Sequence, residues 1–322
     1  MPAFFQRAVV TGGAGFLGSH LCAELLRRGT DVVCVDNLLT GRRQNLSEFA
    51  GHPGFRFIEC DVLEMPELGG SVDLVAHLAS PASPPDYLRW PIETLRVGSE
   101  GTMRMVELAR SKRARFLLAS TSEVYGDPQE HPQRETYWGH VNPVGPRSVY
   151  DESKRYAEAL TAAYRRNGSA DTAIARIFNS YGPRMRVDDG RMVPTFIDQC
   201  LRGEPMTVTG DGSQTRSICY VDDTIRGLLA LAESDLPGPV NIGNSVELTV
   251  CELALKIRKL TGADSPLHYI DMPADDPRRR CPDVTRAAQE LGWWPAVDPD
   301  TGLRHTVDWF ASARLAESHF SG

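Results

Sequence analysis

Tyr150 and Lys154 stand four residues apart in V-Y-D-E-S-K-R-Y-A-E-A-L, so a helix over this stretch carries a phenol and an amine on one face. A neighbouring cation stabilises phenolate and lowers the phenol's pKa, which suits Tyr150 to take a proton from a hydroxyl while the carbon bearing it is oxidised. In isolation the same spacing describes an ordinary exposed pair. A second group lies upstream in S-T-S-E-V-Y-G (120–126), directly after the apolar run Phe116-Leu117-Leu118-Ala119. There Thr121, Ser122 and Glu123 place two hydroxyls and a carboxylate where a buried strand should end; capping of the next turn would also explain them. Arginines supply planar paired donors for anionic groups, and several lie in loop-rich sequence further on.

The stretch V-V-T-G-G-A-G-F-L-G-S-H gives these groups a context. Gly12 permits a tight strand-to-helix turn, Gly15 lets backbone N–H groups approach a pyrophosphate, and Gly18 allows close helix–sheet packing, with the helix N-terminus adding partial positive charge. Phe16 and Leu17 open that helix. Asp36 follows the second strand at the distance expected for a carboxylate on the adenosine ribose hydroxyls, which favours NAD; Arg42 and Arg43 are the residues that would instead accommodate the extra phosphate of NADP. Asn37, Asp61, Val62, Leu78, Ala79 and Ser80 complete the expected cofactor contacts, with Asp61 and Val62 near the adenine.

Elements must hold these residues together. Ala8–Thr11, Asp31–Val35, Phe55–Glu59, Leu74–Leu78 and Phe116–Ser120 read as strands, with Ser19–Arg28 and Glu100–Ser111 as helices between some of them. The alternation predicts an α/β fold: a Rossmann-type doubly wound parallel sheet with ligands gathered at the carboxyl ends of its strands. After about residue 180, clustered Pro, Gly and Arg, including Asp275–Pro282, predict a smaller C-terminal substrate-binding lobe that retains helices at Asp222–Ala232 and Glu252–Leu260. The expected division is 1–178 with 217–243 as the dinucleotide domain, and 179–216 with 244–322 as the lobe.

The chain has 322 residues and a formal net charge of -7, which argues against a general affinity for nucleic acid or acidic membranes. Its seven cysteines show no spacing for zinc, so no metal is expected and the thiols should be reduced. Met1–Val10 lacks the character of a signal peptide and no window has the apolar length of a membrane span, which predicts a cytoplasmic protein.

Together the glycine turn, Thr121 and Tyr150-x-x-x-Lys154 resemble the extended short-chain dehydrogenase/reductase family of nucleotide-sugar enzymes. Within it, H-L-A-S-P-A-S-P-P-D-Y (77–87), S-T-S-E-V-Y-G-D-P (120–128), Y-W-G-H-V-N-P-V-G-P-R (137–147), R-I-F-N-S-Y-G-P-R-M (176–185) and D-G-S-Q-T-R (211–216) resemble the UDP-glucuronic acid decarboxylases, also called UDP-xylose synthases, from about residue 8 to about 310. The resemblance implies NAD-dependent oxidation at C4 of the sugar, loss of carbon dioxide, protonation at C5 and re-reduction at C4. It implies Thr121 and Tyr150 at the C4 hydroxyl, Lys154 on the nicotinamide ribose, Glu123 as the acid–base group with Arg280, and Ser122 near the substrate carboxylate. For the UDP-sugar it points to Asn179, Arg191, Thr195, Arg216 and Arg280, with Tyr87 near the sugar. Arg280 is chosen from R-R-R (278–280) through the match of D-D-P-R-R-R-C-P-D.

Two positions depart from the family. Gly98 stands where asparagine is frequent, which bears on a local helix kink and any cofactor-side water contact; Thr209 replaces an aromatic residue and so bears on base stacking. A 4,6-dehydratase usually carries Asp-Glu after the threonine, where this chain has Ser122-Glu123. A UDP-glucuronate 4-epimerase must avoid decarboxylation and would more naturally lack the Glu123 and Arg280 pair, and an NAD-sensing scaffold would usually have lost Tyr150 and Lys154. The family also implies a homodimer through two helices per subunit; Ala157, Leu160, Ala163 and Tyr164 suit either that contact or core packing.

Overall fold

The fold was described from a computed structural model covering residues 4–272 and 279–320. Residues 1–3, at the start of the Met1–Val10 window, and Asp275–Arg278 of the D-D-P-R-R-R stretch lie outside the described residues.

Strands β1 (Arg7–Thr11), β2 (Asp31–Asp36), β3 (Phe55–Glu59), β4 (Leu74–His77), β5 (Arg115–Thr121) and β6 (Thr172–Ile177) follow one another along the first half. Among them lie helices α1 (Phe16–Arg27), α2 (Pro84–Arg89), α3 (Pro91–Arg96), α4 (Thr102–Lys112) and α5 (Ser148–Arg166). Short strands β7 (Ser180–Tyr181), β8 (Met206–Thr209), β9 (Thr215–Ser217) and β10 (Cys219–Tyr220) precede β11 (Val240–Ile242), and β12 (Glu247–Thr249), β13 (Leu267–Ile270) and β14 (Arg279–Arg280) come after it. Helices α6 (Met192–Arg202), α7 (Val221–Ala232) and α8 (Val250–Thr261) lie between these strands.

Seven strands form one parallel sheet in the order β11-β6-β5-β4-β1-β2-β3. The chain runs outward from β1 through β2 and β3 on one side and from β4 through β5 and β6 on the other. The strand order therefore reverses between β1 and β4, which opens a crevice at their carboxyl ends. Successive side chains point to opposite faces, and both faces are covered, so β4 and β5 are buried along their whole length. Val9, Val33, Val75, Phe116 and Leu118 pack with Met105 and Val106 of α4. Val10, Val32, Leu74 and Leu117 pack on the other face with Leu21 and Leu25 of α1, and that core continues without a break into Phe196, Val208, Leu253 and Ile257.

The helix expected at Glu100–Ser111 differs at its start: α4 begins at Thr102, and Val97–Gly101 forms a π-helical turn between α3 and α4. The π turn thus forms with glycine at position 98. Gly98 also packs so closely on α5 that an added Cβ would lie 2.6 Å from the Ser153 Cβ. Ala157 faces the core, whereas Leu88, Ile92, Leu95, Met103 and Tyr156 of α2 to α5 are exposed. All seven cysteines are free. Among the described residues no helix is long and apolar enough to cross a membrane, and no group of three or more His, Cys, Asp or Glu is placed to hold a metal ion.

Candidate active site

The β1–α1 turn is closed by backbone contacts that leave no room for side chains. Gly12 has φ +69° and donates its N–H to the Val35 carbonyl at 2.8 Å; a Cβ there would lie 2.7 Å from the Ala79 nitrogen. A Cβ on Gly18 would sit 2.0 Å from the Gly12 oxygen, so helix and turn approach only because both are glycine. At the end of β2, Asp36 is buried and its carboxylate accepts from the Ala14 and Leu38 N–H groups at 3.0 and 2.8 Å. Burial raises its pKa, and these two bonds oppose the rise. Arg42 pairs with Asp188 at 3.1 Å, while Arg43 pairs with Glu59 and covers Phe57. A narrow glycine cradle beside a fixed carboxylate fits a dinucleotide.

The carboxyl end of β5 delivers Thr121, whose hydroxyl accepts from the Glu123 N–H at 3.2 Å and starts a 3₁₀ turn over Ser122–Tyr125. Opposite it, α5 carries Tyr150 and Lys154 on its buried face. Tyr87 of α2 stacks on Tyr150 with ring centroids 5.3 Å apart and planes 5° from parallel. Its own hydroxyl is buried with no hydrogen-bond partner among the described residues and lines the cavity. Lys154 donates to the Ala119 carbonyl at 2.9 Å and its Nζ lies 5.8 Å from the Tyr150 ring centre. Burial draws the Lys154 ammonium down to about 8 against Glu158.

Burial pushes the Tyr150 phenol up to about 12, outweighing Arg191 and the hydrogen bond with Thr121.

Glu123 is clasped by two guanidinium groups. Both Nη atoms of Arg280 donate to its two oxygens, with the Nη2 bond at 2.9 Å, and Arg147 Nη2 adds a bond of 2.7 Å. Burial would lift the Glu123 carboxyl, but Arg280 and Arg147 hold it down at about 2, so it is ionised at neutral pH. Arg147 received no role from sequence. Its signal was available, since it closes the Y-W-G-H-V-N-P-V-G-P-R stretch one helical turn before Tyr150. Asp151 was also missed: it is buried, its Oδ1 has no partner among the described residues, and burial together with Glu123 pushes its carboxyl up to about 7.

A single cavity of about 530 Å³ is lined by every sequence-derived site residue except Thr195. Thr195 lies one turn inside α6, where its N–H is bonded to the Arg191 carbonyl, and its neighbours Met192–Pro194 reach the cavity instead. Arg191 donates to Asp189 at 2.9 Å and to the Ala82 carbonyl at 2.7 Å, bridging the lobe to the segment before α2. Arg216 is buried on β9, directly opposite Arg280 on β14. Thr209 is gripped by Gln214, whose Nε2 donates to its carbonyl and hydroxyl at 2.7 and 3.0 Å, in the place where an aromatic residue is common.

The model of the NAD dependent epimerase/dehydratase family matches residues 8–243. A UDP-glucuronic acid decarboxylase of Xenopus tropicalis is 48% identical over 305 residues, spanning 95% of this chain and 72% of that protein. The structure of the UDP-glucuronic acid 4-epimerase of Bacillus cereus, in complex with UDP-glucuronic acid and NAD, superposes with a TM-score of 0.86 at 28% identity over 95% of this chain and 99% of that one. The dTDP-glucose 4,6-dehydratase of Streptomyces venezuelae, with NAD bound, gives a TM-score of 0.88 at 29% identity over 96% of this chain and 98% of that one. With its glycine turn, seven-stranded parallel sheet and Tyr-x-x-x-Lys helix in common order, the chain belongs to the NAD dependent epimerase/dehydratase family.

Proposed function

We propose that the protein decarboxylates UDP-glucuronic acid to UDP-xylose, with NAD as a regenerated cofactor. The observation that carries this reading is the Glu123 carboxylate held between Arg280 and Arg147 in the same cavity as Thr121, Tyr150 and Lys154. The relatives at 48–50% identity support it, being named UDP-glucuronic acid decarboxylases.

Gly12, Gly15, Phe16, Leu17, Asp36, Asn37, Asp61, Val62 and Leu78–Ser80 would hold NAD, which when bound accepts a hydride from C4 of the sugar and later returns it. Tyr150 takes the C4 hydroxyl proton, Thr121 fixes that hydroxyl, and Lys154 holds the nicotinamide ribose. The ketone at C4 makes the C5 carboxylate a β-keto acid, so the C5–C6 electrons pass into the ketone as carbon dioxide leaves. Ser122 and Arg280 orient the carboxylate beforehand, and Glu123, with a water, governs delivery of the proton to C5. Tyr87, Asn179, Arg191 and Arg216 bind the sugar and diphosphate; Thr195 contributes through the turn it stabilises.

Residues 1–178 with 217–243 serve the dinucleotide, and 179–216 with 244–322 serve the nucleotide sugar. The exposed apolar residues of α2 to α5 would meet their counterparts in a homodimer, and the setting proposed is cytoplasmic, where the thiols stay reduced.

The test is NMR of UDP-glucuronic acid labelled with carbon-13 at C6. Labelled carbon dioxide and UDP-xylose are expected, and Glu123→Gln should lower the rate on the order of 10²-fold to 10⁴-fold while NAD binding is retained. An epimerised sugar that keeps its labelled carboxylate, or no turnover at all, sinks the reading.

A further inference from the structure

Glu123 and Arg280 are 157 residues apart in sequence, yet their side chains meet in two hydrogen bonds. What holds the two backbones at this separation lies behind the cavity. Tyr125, in the same 3₁₀ turn as Glu123, is buried, donates its hydroxyl to the Asn241 Oδ1 at 2.8 Å and accepts from Arg176 at 3.0 Å. Asn241, in the middle of β11 and wholly buried, turns its Nδ2 the other way, to the carbonyls of Gln133 at 2.9 Å and Asp283 at 3.0 Å.

Gln133 completes the link. Its Oε1 accepts from the Cys281 N–H, its N–H donates to the Cys281 carbonyl, and its carbonyl accepts from the Asp283 N–H, each at 2.9 Å. Residues 281–283 are thereby tied to Gln133, and Arg280 precedes them directly. On its other side the Arg280 carbonyl accepts from Ser217 at 3.1 Å, and β14 is paired with β9. One amide therefore joins the turn that carries the carboxylate to the segment that carries the guanidinium. An apolar side chain of equal size would fill the space without making either link. Buried polar networks whose members are all bonded favour one arrangement of the groups they connect.

We infer that Asn241 is a positioning residue for the Glu123–Arg280 pair, setting the separation at which the carboxylate and guanidinium meet through Tyr125 on one side and Gln133 with Cys281–Asp283 on the other. The consequence for turnover rests on the proposed decarboxylation; the geometric claim does not.

Two variants test it: Asn241→Leu, which removes all three side-chain bonds, and Tyr125→Phe, which removes one hydroxyl and keeps the ring. The first readout needs no substrate. Glutamate side-chain carboxyls are labelled with carbon-13, and the Glu123 signal is identified by its loss in Glu123→Gln. In the unaltered protein that signal should keep its ionised position from about pH 6 down to about pH 4, through the range in which ordinary glutamates become protonated. In the variants it should bend toward the protonated form within that range.

The second readout is turnover of UDP-glucuronic acid. The kcat should fall on the order of tenfold for Tyr125→Phe and up to 10²-fold for Asn241→Leu, with KM and NAD affinity within about twofold. If Asn241→Leu yields no folded protein, Tyr125→Phe carries both readouts. A Glu123 signal that stays fixed in the folded variants overturns the inference. Should the unaltered protein release no carbon dioxide, the proposed function falls while the NMR titration still decides the positioning role.

Discussion

The two carboxyls beside Tyr150, Glu123 and Asp151, are ordinary in sequence and made unequal by their surroundings. Glu123 is kept ionised by two guanidinium groups, whereas Asp151, one residue beyond Tyr150, is pushed up to about 7 and sits half protonated at neutral pH. Its folded pKa is raised above the unfolded value, so its contribution to stability is present at low pH and is lost as pH rises through about 7. Asp151→Asn should therefore melt higher than the unaltered protein at pH 8, and the difference should vanish below about pH 4, where both side chains are neutral folded or unfolded. Melting temperatures across that range check it. Tyr150 and Lys154 were legible from their spacing along one helix, and Thr121 and Glu123 from the resemblance of the S-T-S-E-V-Y-G stretch to the family. Asp151 was not, since an aspartate at a helix start looks solvated until the tertiary fold buries it, and Arg147 was legible only through the motif that it closes.

At the scale of elements, the sheet strands were legible from apolar runs that both faces of a parallel sheet require. The π turn at Val97–Gly101 was not, because it depends on what packs against it: Gly98 lies against Ser153 of the helix that bears Tyr150 and Lys154. A methyl group there has no space without moving α5. Gly98→Ala should cost about 1–3 kcal/mol in stability, as overpacking does in other cores, and should lower kcat by displacing the Tyr150–Lys154 helix. Chemical denaturation and steady-state kinetics on the same preparation measure the two effects. The lobe was harder to read, with strands of two to four residues that gain their place only from neighbours distant in sequence, as β14 does from β9.

Across the whole molecule, an unbroken apolar core joins one face of the sheet to the elements beyond residue 190, while α5, which bears Tyr150 and Lys154, packs through Ala157 on the opposite face. The pairing of β9 with β14 sets Arg216 opposite Arg280 on adjoining strands. Arg216, proposed above as a diphosphate ligand, is thereby joined through a strand pairing two residues wide to the arginine that meets Glu123. Glucuronic acid 1-phosphate, which lacks the nucleoside and one phosphate, should accordingly suffer in kcat as well as KM, because remote binding is used to order the reacting centre. Comparing its steady-state constants with those of UDP-glucuronic acid decides this, and an equal kcat would mean that anchoring and chemistry are independent. The nucleotide is then more than a handle by which the sugar is recognised: its arrival would tension the strand that aims the arginine.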